Sequence, residues 1–391
     1  STLANILSDL GNDVSGYDDT VKYKFTEEGL DKRGIKIYHE PHPIDSDTIV
    51  TYSKAFSIDH PEIKRVRELG LTMRDYNQVV GDVTAMFETI GISGTHGKTT
   101  TSLLISDILK NTVGCNYFVG DGTGYADKKN KLFVIESDEF NKHFLAYHPT
   151  IAVITNIELD HTECYPGGLE EIKDTFKKFG NKAEQVVACG DDSNIRDIKF
   201  DKDVIYYGFN DNNNVVAKNV KLTDKGSEFD VYINNELFNS FEVPLYGEHM
   251  VLNTAAAITM CRELGIPINS IKNSLNTFHN AERRFQIEEV GTTTIIDDYA
   301  HHPTEIKVTL EGVRQKYPDR KIVVVFKPNT YSRTKDFTEE FASALSIADK
   351  VFLTEIDCNR EKQEDYPGVS SSLITEKIKD AEILDEKNPI V

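Results

Sequence analysis

The segment GISGTHGKTTT, residues 91–101, constrains the fold more than any other part of the chain. It completes ETIGISG, a short run with strand character, and opens TTTSLLISDILK, whose apolar residues recur at helical spacing. A glycine-rich turn from strand to helix lets backbone N–H groups curl around an anion, and the helix adds its positive end. Gly94, Thr95, His96 and Gly97 form that turn, Lys98 can reach terminal phosphates, and Thr99, with Thr100 behind it, offers a hydroxyl to Mg²⁺. The spacing is tighter than the common GxxxxGK[ST] pattern, because Ile92 stands five positions before Gly97. The plain alternative is a glycine-rich βα turn followed by a chance lysine.

Strand and helix patterns alternate over much of the chain. Leu3, Ile6, Leu7 and Leu10 fall on one face of an opening helix, and DTIVTYS reads as a strand. PEIKRVRELG reads as a helix with Pro61 near its start, and KLFVIES and TIAVITNI as further strands. This alternation predicts an α/β fold of parallel sheets with helices on both faces, whose ligands sit beyond the carboxyl ends of strands. Residues 200–245 break the rhythm. VIYYGF, EFDVYINN and FNSFEVPLY alternate, and Asn234 and Asn235 suit a tight turn, so antiparallel hairpins are expected there. A helix, MVLNTAAAITMCRELG, then stops at Gly265. The β/α pattern returns with TTTIIDDYA, a helix after Pro303, KIVVVFK, FTEEFASALS and KVFLTE. Three α/β domains are expected, over residues 1–88, 89–279 and 280–391.

Composition narrows the function classes. Acidic residues number 64 against 44 basic ones, a net charge of -20 that opposes wrapping of a polyanion, so nucleic acid is not the expected partner and any phosphate must be held by a local device. No apolar run reaches the roughly 18 residues of a membrane span, and insertion into a membrane is not expected. The opening STLANILSDLGNDVSG lacks the features of a secretory signal. Cys115, Cys164, Cys189, Cys261 and Cys358 are scattered, without a CxxC pair, which argues against a zinc ribbon or disulfide framework and for a reducing cytoplasm. The chain begins with Ser inside a helical pattern, so a preceding segment is expected.

Two acidic strand ends follow the glycine-rich turn. FVIESDE places Glu136, Asp138 and Glu139 past one strand, and VITNIELDH places Asn156, Asp160 and His161 past the next. If both strands neighbour the phosphate strand, Glu136 and His161 point at a nucleotide's terminal phosphates, where carboxylate and imidazole can hold Mg²⁺. Acidic residues at strand ends also serve as helix caps or solvated loop charges.

With GTHGKTTT, TNIELDH, YGEHMVLNTAAA, RRF at 283–285, IIDDYAHHPTEI and PNTYSRT in this order, the chain resembles the ATP-dependent Mur ligases of bacterial cell-wall synthesis. DDYAHHPTE together with YSRT is similar to the alanine-adding branch. The resemblance implies a Rossmann-like domain for the UDP-sugar, a central P-loop ATPase with a parallel sheet plus hairpins, and a Rossmann-like C-terminal domain that helps hold ATP and the amino acid. It implies that Lys98 and Thr99 take the phosphates and Mg²⁺, that Glu136 and His161 hold metal, and that His249 and Asn253 contact adenine. Arg284 would reach the ATP phosphates, Asp298 the ribose, and Tyr299, His301 and Arg333 would handle L-alanine. The implied reaction is ATP-dependent ligation of L-alanine to the carboxylate of UDP-N-acetylmuramic acid through an acyl phosphate, a cytoplasmic step in peptidoglycan precursor synthesis.

Several of these residues have local alternatives. One histidine of AHHPTE can simply cap the helix before Pro303, RRF can be a surface arginine pair beside a core Phe285, His249 can satisfy backbone groups at a helix start, and Arg333 can pair with Asp336. The sequence also departs from the family. The strand and glycine-rich loop that cradle the UDP diphosphate would precede Ser1, and the last strands of the C-terminal domain would follow Val391. Lys327 and Asn329 stand where Gln and His are common, and Tyr17 where Ser is common. Asp18 and Ser53 remain candidates on the UDP side. Alternatives are a ligase that attaches a preformed peptide to the same sugar, and a non-catalytic nucleotide-binding paralogue.

Overall fold

The computed structural model describes residues 1–53, 56–358 and 361–384. The chain divides into two units. One comprises Ser1–Lys218, Asp230–Phe241 and Leu252–Phe278, the other Asn219–Phe229, Glu242–Val251 and His279–Val391.

In the first unit, α1 (Thr2–Asp9) buries Leu3 and Ile6 one helical turn apart. β1 (Ser15–Tyr17) and β2 (Lys36–Tyr38) form a parallel pair with the single turn α2 (Glu28–Asp31) between them in sequence. β3 (Ile49–Tyr52) and β4 (Thr72–Asp75) form another around α3 (Pro61–Glu68). The His60 ring accepts the Glu62 N–H at 3.2 Å, and Pro61 fills the first helical position, where a missing N–H costs nothing. α4 (Tyr76–Thr84) packs on the 3-10 segment Phe140–Ala146. There Thr84 Oγ1 accepts the His148 N–H at 3.0 Å and donates to the Gly81 carbonyl at 2.6 Å.

The main sheet begins with β5 (Glu88–Ser93), followed by α5 (Lys98–Lys110), β6 (Cys115–Phe118), β7 (Gly124–Tyr125), β8 (Leu132–Glu136) and β9 (Ile151–Ile154). α6 (Gly168–Lys182), β10 (Gln185–Cys189), α7 (Ser193–Asp197) and β11 (Val204–Gly208) continue it, and β12 (Val215–Thr223), β13 (Gly226–Ile233) and β14 (Glu236–Val243) complete it. The strand order is β14-β13-β12-β11-β10-β9-β5-β8-β6-β7. β5 is parallel to β8 on one side and to β9 on the other, and its Ile90 and Ile92 are wholly buried, as expected of a strand covered on both faces.

VIYYGF differs from the expected hairpin: β11 runs parallel to both β10 and the start of β12. Its first three residues are only half-buried although it lies inside the sheet, in the parallel part. The antiparallel portion is β12 to β14, whose strands are joined by turns too short for a parallel crossover. Asn234 and Asn235 have φ of 50° and 67°, the left-handed pair that a two-residue hairpin turn requires. α8 (Glu248–Glu263) ends before Gly265, at φ 71°, and α9 (Ile268–Asn276) follows.

In the second unit, β15 (Gln286–Val290) pairs antiparallel with β16 (Thr293–Asp297). α10 (Pro303–Lys316), β17 (Val323–Phe326), α11 (Tyr331–Asp336), α12 (Thr338–Leu345), β18 (Lys350–Leu353), α13 (Ser372–Thr375) and β19 (Ala381–Ile383) follow. β17, β18 and β19 form a parallel sheet over a core of Leu310, Phe326, Phe341, Leu345, Leu353 and Ile374. Gln315 of α10 donates to the Thr223 and Gly226 carbonyls and accepts the Gly247 N–H at 2.7 Å, which ties the two hairpin-derived segments into this unit. YSRT starts the six-residue helix α11, because Thr330 accepts the Arg333 N–H as an N-cap.

A Cβ at Gly81 would lie 2.3 Å from the Ala146 carbonyl oxygen, so α4 can approach Phe140–Ala146 only with glycine there. Gly81→Ala should lower stability by about 1–3 kcal/mol through overpacking, read as a lower thermal midpoint. An unchanged midpoint would mean that α4 shifts freely.

Candidate active site

The register of three strands assembles the first constellation. Ile92 of β5 pairs with Glu136 of β8, and Ser93 with Ile154 of β9, so the segments leaving all three strands emerge at one edge. Gly94 has φ 144°, and a Cβ there would lie 2.0 Å from Thr155 Oγ1; Gly97 has φ 79°, and a Cβ there would lie 2.6 Å from Asn253 Oδ1. Both glycines are therefore required by close approach as well as by backbone conformation. Thr155 Oγ1 donates to the His96 carbonyl at 2.6 Å, and Asn156 clamps His96 twice, accepting its N–H at 2.8 Å and donating to its carbonyl at 3.0 Å. Thr95 donates its N–H to the Asn156 carbonyl and accepts the Glu158 N–H at 2.8 Å. Asp192, the cap of α7, takes the Ile157 N–H at 2.8 Å and braces the same strut. Sequence reasoning placed Asn156 at a strand end but gave it no role; its position directly after the β9 strand pattern was the available signal.

Lys98 Nζ donates to the Gly94 and Thr95 carbonyls and forms an ion pair with Glu139 at 3.0 Å, with 14% and 4% of the two side chains exposed. Burial alone would lower the lysine pKa, but the charges of Glu139, Asp138 and Glu136 outweigh it and hold Lys98 protonated. Burial pushes the Glu139 carboxyl up, against the opposing pull of Lys98. Glu139 is thus a site residue whose role the sequence left unassigned. Glu136 accepts the Gly120 N–H at 2.8 Å. Thr99 and Thr100 are buried in the first turn of α5.

His161, in the left-handed region at φ 52°, lies 3.8 Å from Asp160 and Glu163 oxygens and 3.9 Å from Glu139. Burial would lower its pKa, but Glu163, Asp160, Glu139 and Asp138 together raise it. One lysine among three carboxylates leaves negative charge for a dication to offset, and the hydroxyl of Thr99 and the carboxylate of Glu136 are oxygen donors of the kind Mg²⁺ takes. His161, biased toward the cationic form, offers a lone pair to a metal only after losing its proton.

His249 and Asn253 lie four residues apart on α8. Asn253 backs Gly97, whereas the His249 ring lies 2.6 Å from where a Cβ at Gly247 would stand. Asp18 and Ser53 directly follow the carboxyl ends of β1 and β3. Asp18 accepts the Thr20 N–H and pairs with Lys24 at 2.9 Å; these contacts outweigh partial burial and hold its carboxyl below the usual range.

The second unit locks RRF to DDYAHHP. Asp298 accepts the Phe285 N–H with one oxygen and the Ala300 N–H with the other, both at 2.8 Å, and Thr309 donates to it at 3.2 Å. Burial raises the Asp298 pKa despite those bonds and the nearby Arg284 charge. Arg283 and Phe285 have φ of 58° and 55°, a conformation that non-glycine residues hold only under such constraint. The half-exposed Tyr299 ring lies 5.3 and 5.4 Å from the Arg283 and Arg284 guanidinium carbons. His302 is the helix-capping histidine: its Nδ1 accepts the Thr304 N–H, and Glu305 completes a capping box. His301 Nδ1 lies 3.0 Å from the Tyr299 carbonyl and 3.2 Å from Glu305. Arg333 is 9% exposed and donates to Asn329 Oδ1 at 3.0 Å, so Asn329 supports the arginine.

Because the folded state raises the His161 pKa, the histidine contributes stability fully present below its unfolded pKa near 6.5 and lost as pH rises through the higher folded value. The stability difference between wild type and His161→Gln, measured by urea unfolding without nucleotide or metal, should therefore shrink as pH rises above about 6.5. A difference that stays flat or grows would remove the charged histidine from this site.

Family models match the chain as follows: "Mur ligase family, catalytic domain" over residues 1–88, "Mur ligase middle domain" over 92–261, and "Mur ligase, glutamate ligase domain" over 283–389. The chain is 43% identical over 385 residues to the UDP-N-acetylmuramate--L-alanine ligase of Lactiplantibacillus plantarum, covering 97% of this chain and 86% of that protein. Among solved structures it is similar to the UDP-N-acetylmuramate-alanine ligase MurC of Thermotoga maritima, with TM-score 0.81 and 26% identity over 98% of this chain and 87% of that one. A murein peptide ligase from Psychrobacter arcticus shares the fold at TM-score 0.72 and 20% identity, over 98% of this chain and 88% of that one. With three Mur ligase models along the chain and this degree of identity over nearly its whole length, the chain belongs to the Mur ligase family.

Proposed function

We propose that the protein joins L-alanine to the carboxylate of UDP-N-acetylmuramate at the expense of ATP, a cytoplasmic step in making peptidoglycan precursor. The observation that carries this reading is the 43% identity, over 97% of the chain, to a protein bearing that activity in its name. DDYAHHPTE and YSRT, which lie within that matched length, agree with it. No described helix is long and apolar enough to cross a membrane.

In this reading residues 1–88 take the UDP-sugar, with Asp18 and Ser53 on that side, residues 89–279 take ATP, and residues 280–391 help to hold ATP and the amino acid. The N–H groups of Gly97 and of the first turn of α5 face the phosphates, since those of Thr95 and His96 are already donated to Asn156, and the strut of Thr155 and Asn156 fixes the turn. Lys98 exchanges its internal acceptors for phosphate oxygens, and Arg284 adds a second cation. Thr99, Glu136 and His161 would hold Mg²⁺, which offsets charge on the terminal phosphates. His249 and Asn253 serve adenine, and Asp298 the ribose. The sugar carboxylate attacks the γ-phosphoryl group, ADP leaves, and the alanine amine attacks the acyl phosphate, releasing phosphate. Arg333 recognises the alanine carboxylate through paired N–H donors, with Tyr299 and His301 beside the incoming amine.

Phosphate release with ATP and UDP-N-acetylmuramate should require L-alanine and reject a preformed tripeptide; release driven by the tripeptide instead would transfer the chain to the recycling activity. Lys98→Ala should keep its fold and lose roughly 100-fold or more in turnover. Substantial activity in that variant would end the nucleotide-site assignment. Arg333→Lys should raise the alanine KM by about tenfold or more while the ATP KM stays within about twofold, since lysine keeps the charge and loses the fork. An unmoved alanine KM in folded protein would require a different carboxylate clamp.

A further inference from the structure

α11 carries Arg333 but spans only six residues, Tyr331–Asp336, too few to hold a helix in water without outside contacts. Its first-turn N–H groups need acceptors. Thr330 supplies one, and the others come from a residue almost thirty positions onward: Glu361 accepts the Tyr331 N–H at 2.6 Å and the Ser332 N–H at 3.1 Å with one carboxylate oxygen. Its other oxygen accepts the Ser332 hydroxyl at 2.5 Å and the Tyr366 hydroxyl at 3.4 Å. The residues around Glu361 are sewn to the same segment. Lys327 pairs with Asp357 at 2.9 Å, Asp357 donates its N–H to the Pro328 carbonyl, Tyr331 stacks on Tyr366 at 5.9 Å, and Glu361 donates its own N–H to Cys358 Sγ at 3.3 Å. A carboxylate on the first-turn donors also favours the positive end of the helix. At the other end of α11, Phe337 lies edge-on to His302 at 5.1 Å, which sets this helix beside the DDYAHHP segment.

We infer that Glu361 is a positioning residue for amino-acid capture: by holding the first turn of α11 it fixes the direction of the Arg333 guanidinium. The inference rests on the functional reading above. Glu361 touches neither nucleotide nor sugar in this scheme, so its effect should fall on one substrate alone. In wild type, alanine-dependent phosphate release is measured first; its absence overturns the functional reading and this inference together. Given that release, Glu361→Ala should raise the alanine KM by about tenfold or more, with the ATP KM and the kcat at saturating alanine each within about threefold of wild type. Glu361→Gln, which keeps one acceptor oxygen, should give an intermediate rise, and Ser332→Ala, which removes a single contact, a smaller one. If Glu361→Ala fails to fold, the other two variants decide with the same sign. An unchanged alanine KM, or a fall in kcat or in ATP affinity without a change in alanine KM, overturns the positioning role while leaving the ligase activity intact.

Discussion

The pairing of β5 between β8 and β9 is the constraint on which the candidate site depends. Parallel register puts the carboxyl ends of the three strands at one edge, so the phosphate turn, the Glu136–Glu139 segment and the Asn156–His161 segment meet without any long excursion of the chain. The arrangement tolerates little error. A one-residue slip would turn every side chain to the opposite face, and it would part Gly94 from Thr155, a contact so close that no β-carbon fits. Loop conformation here is imposed by the neighbouring strand as much as by the glycines themselves.

Electrostatics explains how so acidic a chain can hold a polyphosphate. The net charge is -20, yet the phosphate turn is backed by a buried lysine whose protonation three nearby carboxylates secure. Glu139 and two carbonyl oxygens satisfy that lysine, which removes the cost of an unpartnered internal charge. Local placement, and not overall charge, decides what this surface attracts.

Much of this was legible in the sequence where the signal is local. The glycine-rich turn, the buried strand runs, the Asn234–Asn235 turn and a capping histidine before Pro303 all follow from spacing over a few residues. What the sequence hid depends on distant partners. Glu139 differs from Asp138 only by facing Lys98, forty-one positions away, and Asn156 looks like any polar residue after a strand until His96 is placed against it. Glu361 sits in an acidic stretch that reads as solvated loop, although its carboxylate points inward to α11. VIYYGF misled for the opposite reason: its strand character is genuine, but sheet position and not local pattern decides the direction of its neighbours.

The edge of the second unit's sheet bears on how the protein must be handled. Among the described residues β17 pairs with β18 and with no strand on its other side, and Val323 and Val325 are 51% and 60% exposed. Such an edge is a template for strands from other molecules, so KIVVVFK is the place where concentrated protein would begin to self-associate. Lys321 flanks it as a gatekeeper whose charge meets that of a second copy adding there, whereas Lys327 at the other end is already paired with Asp357. Salt weakens that repulsion, which makes low ionic strength the safer condition for storage.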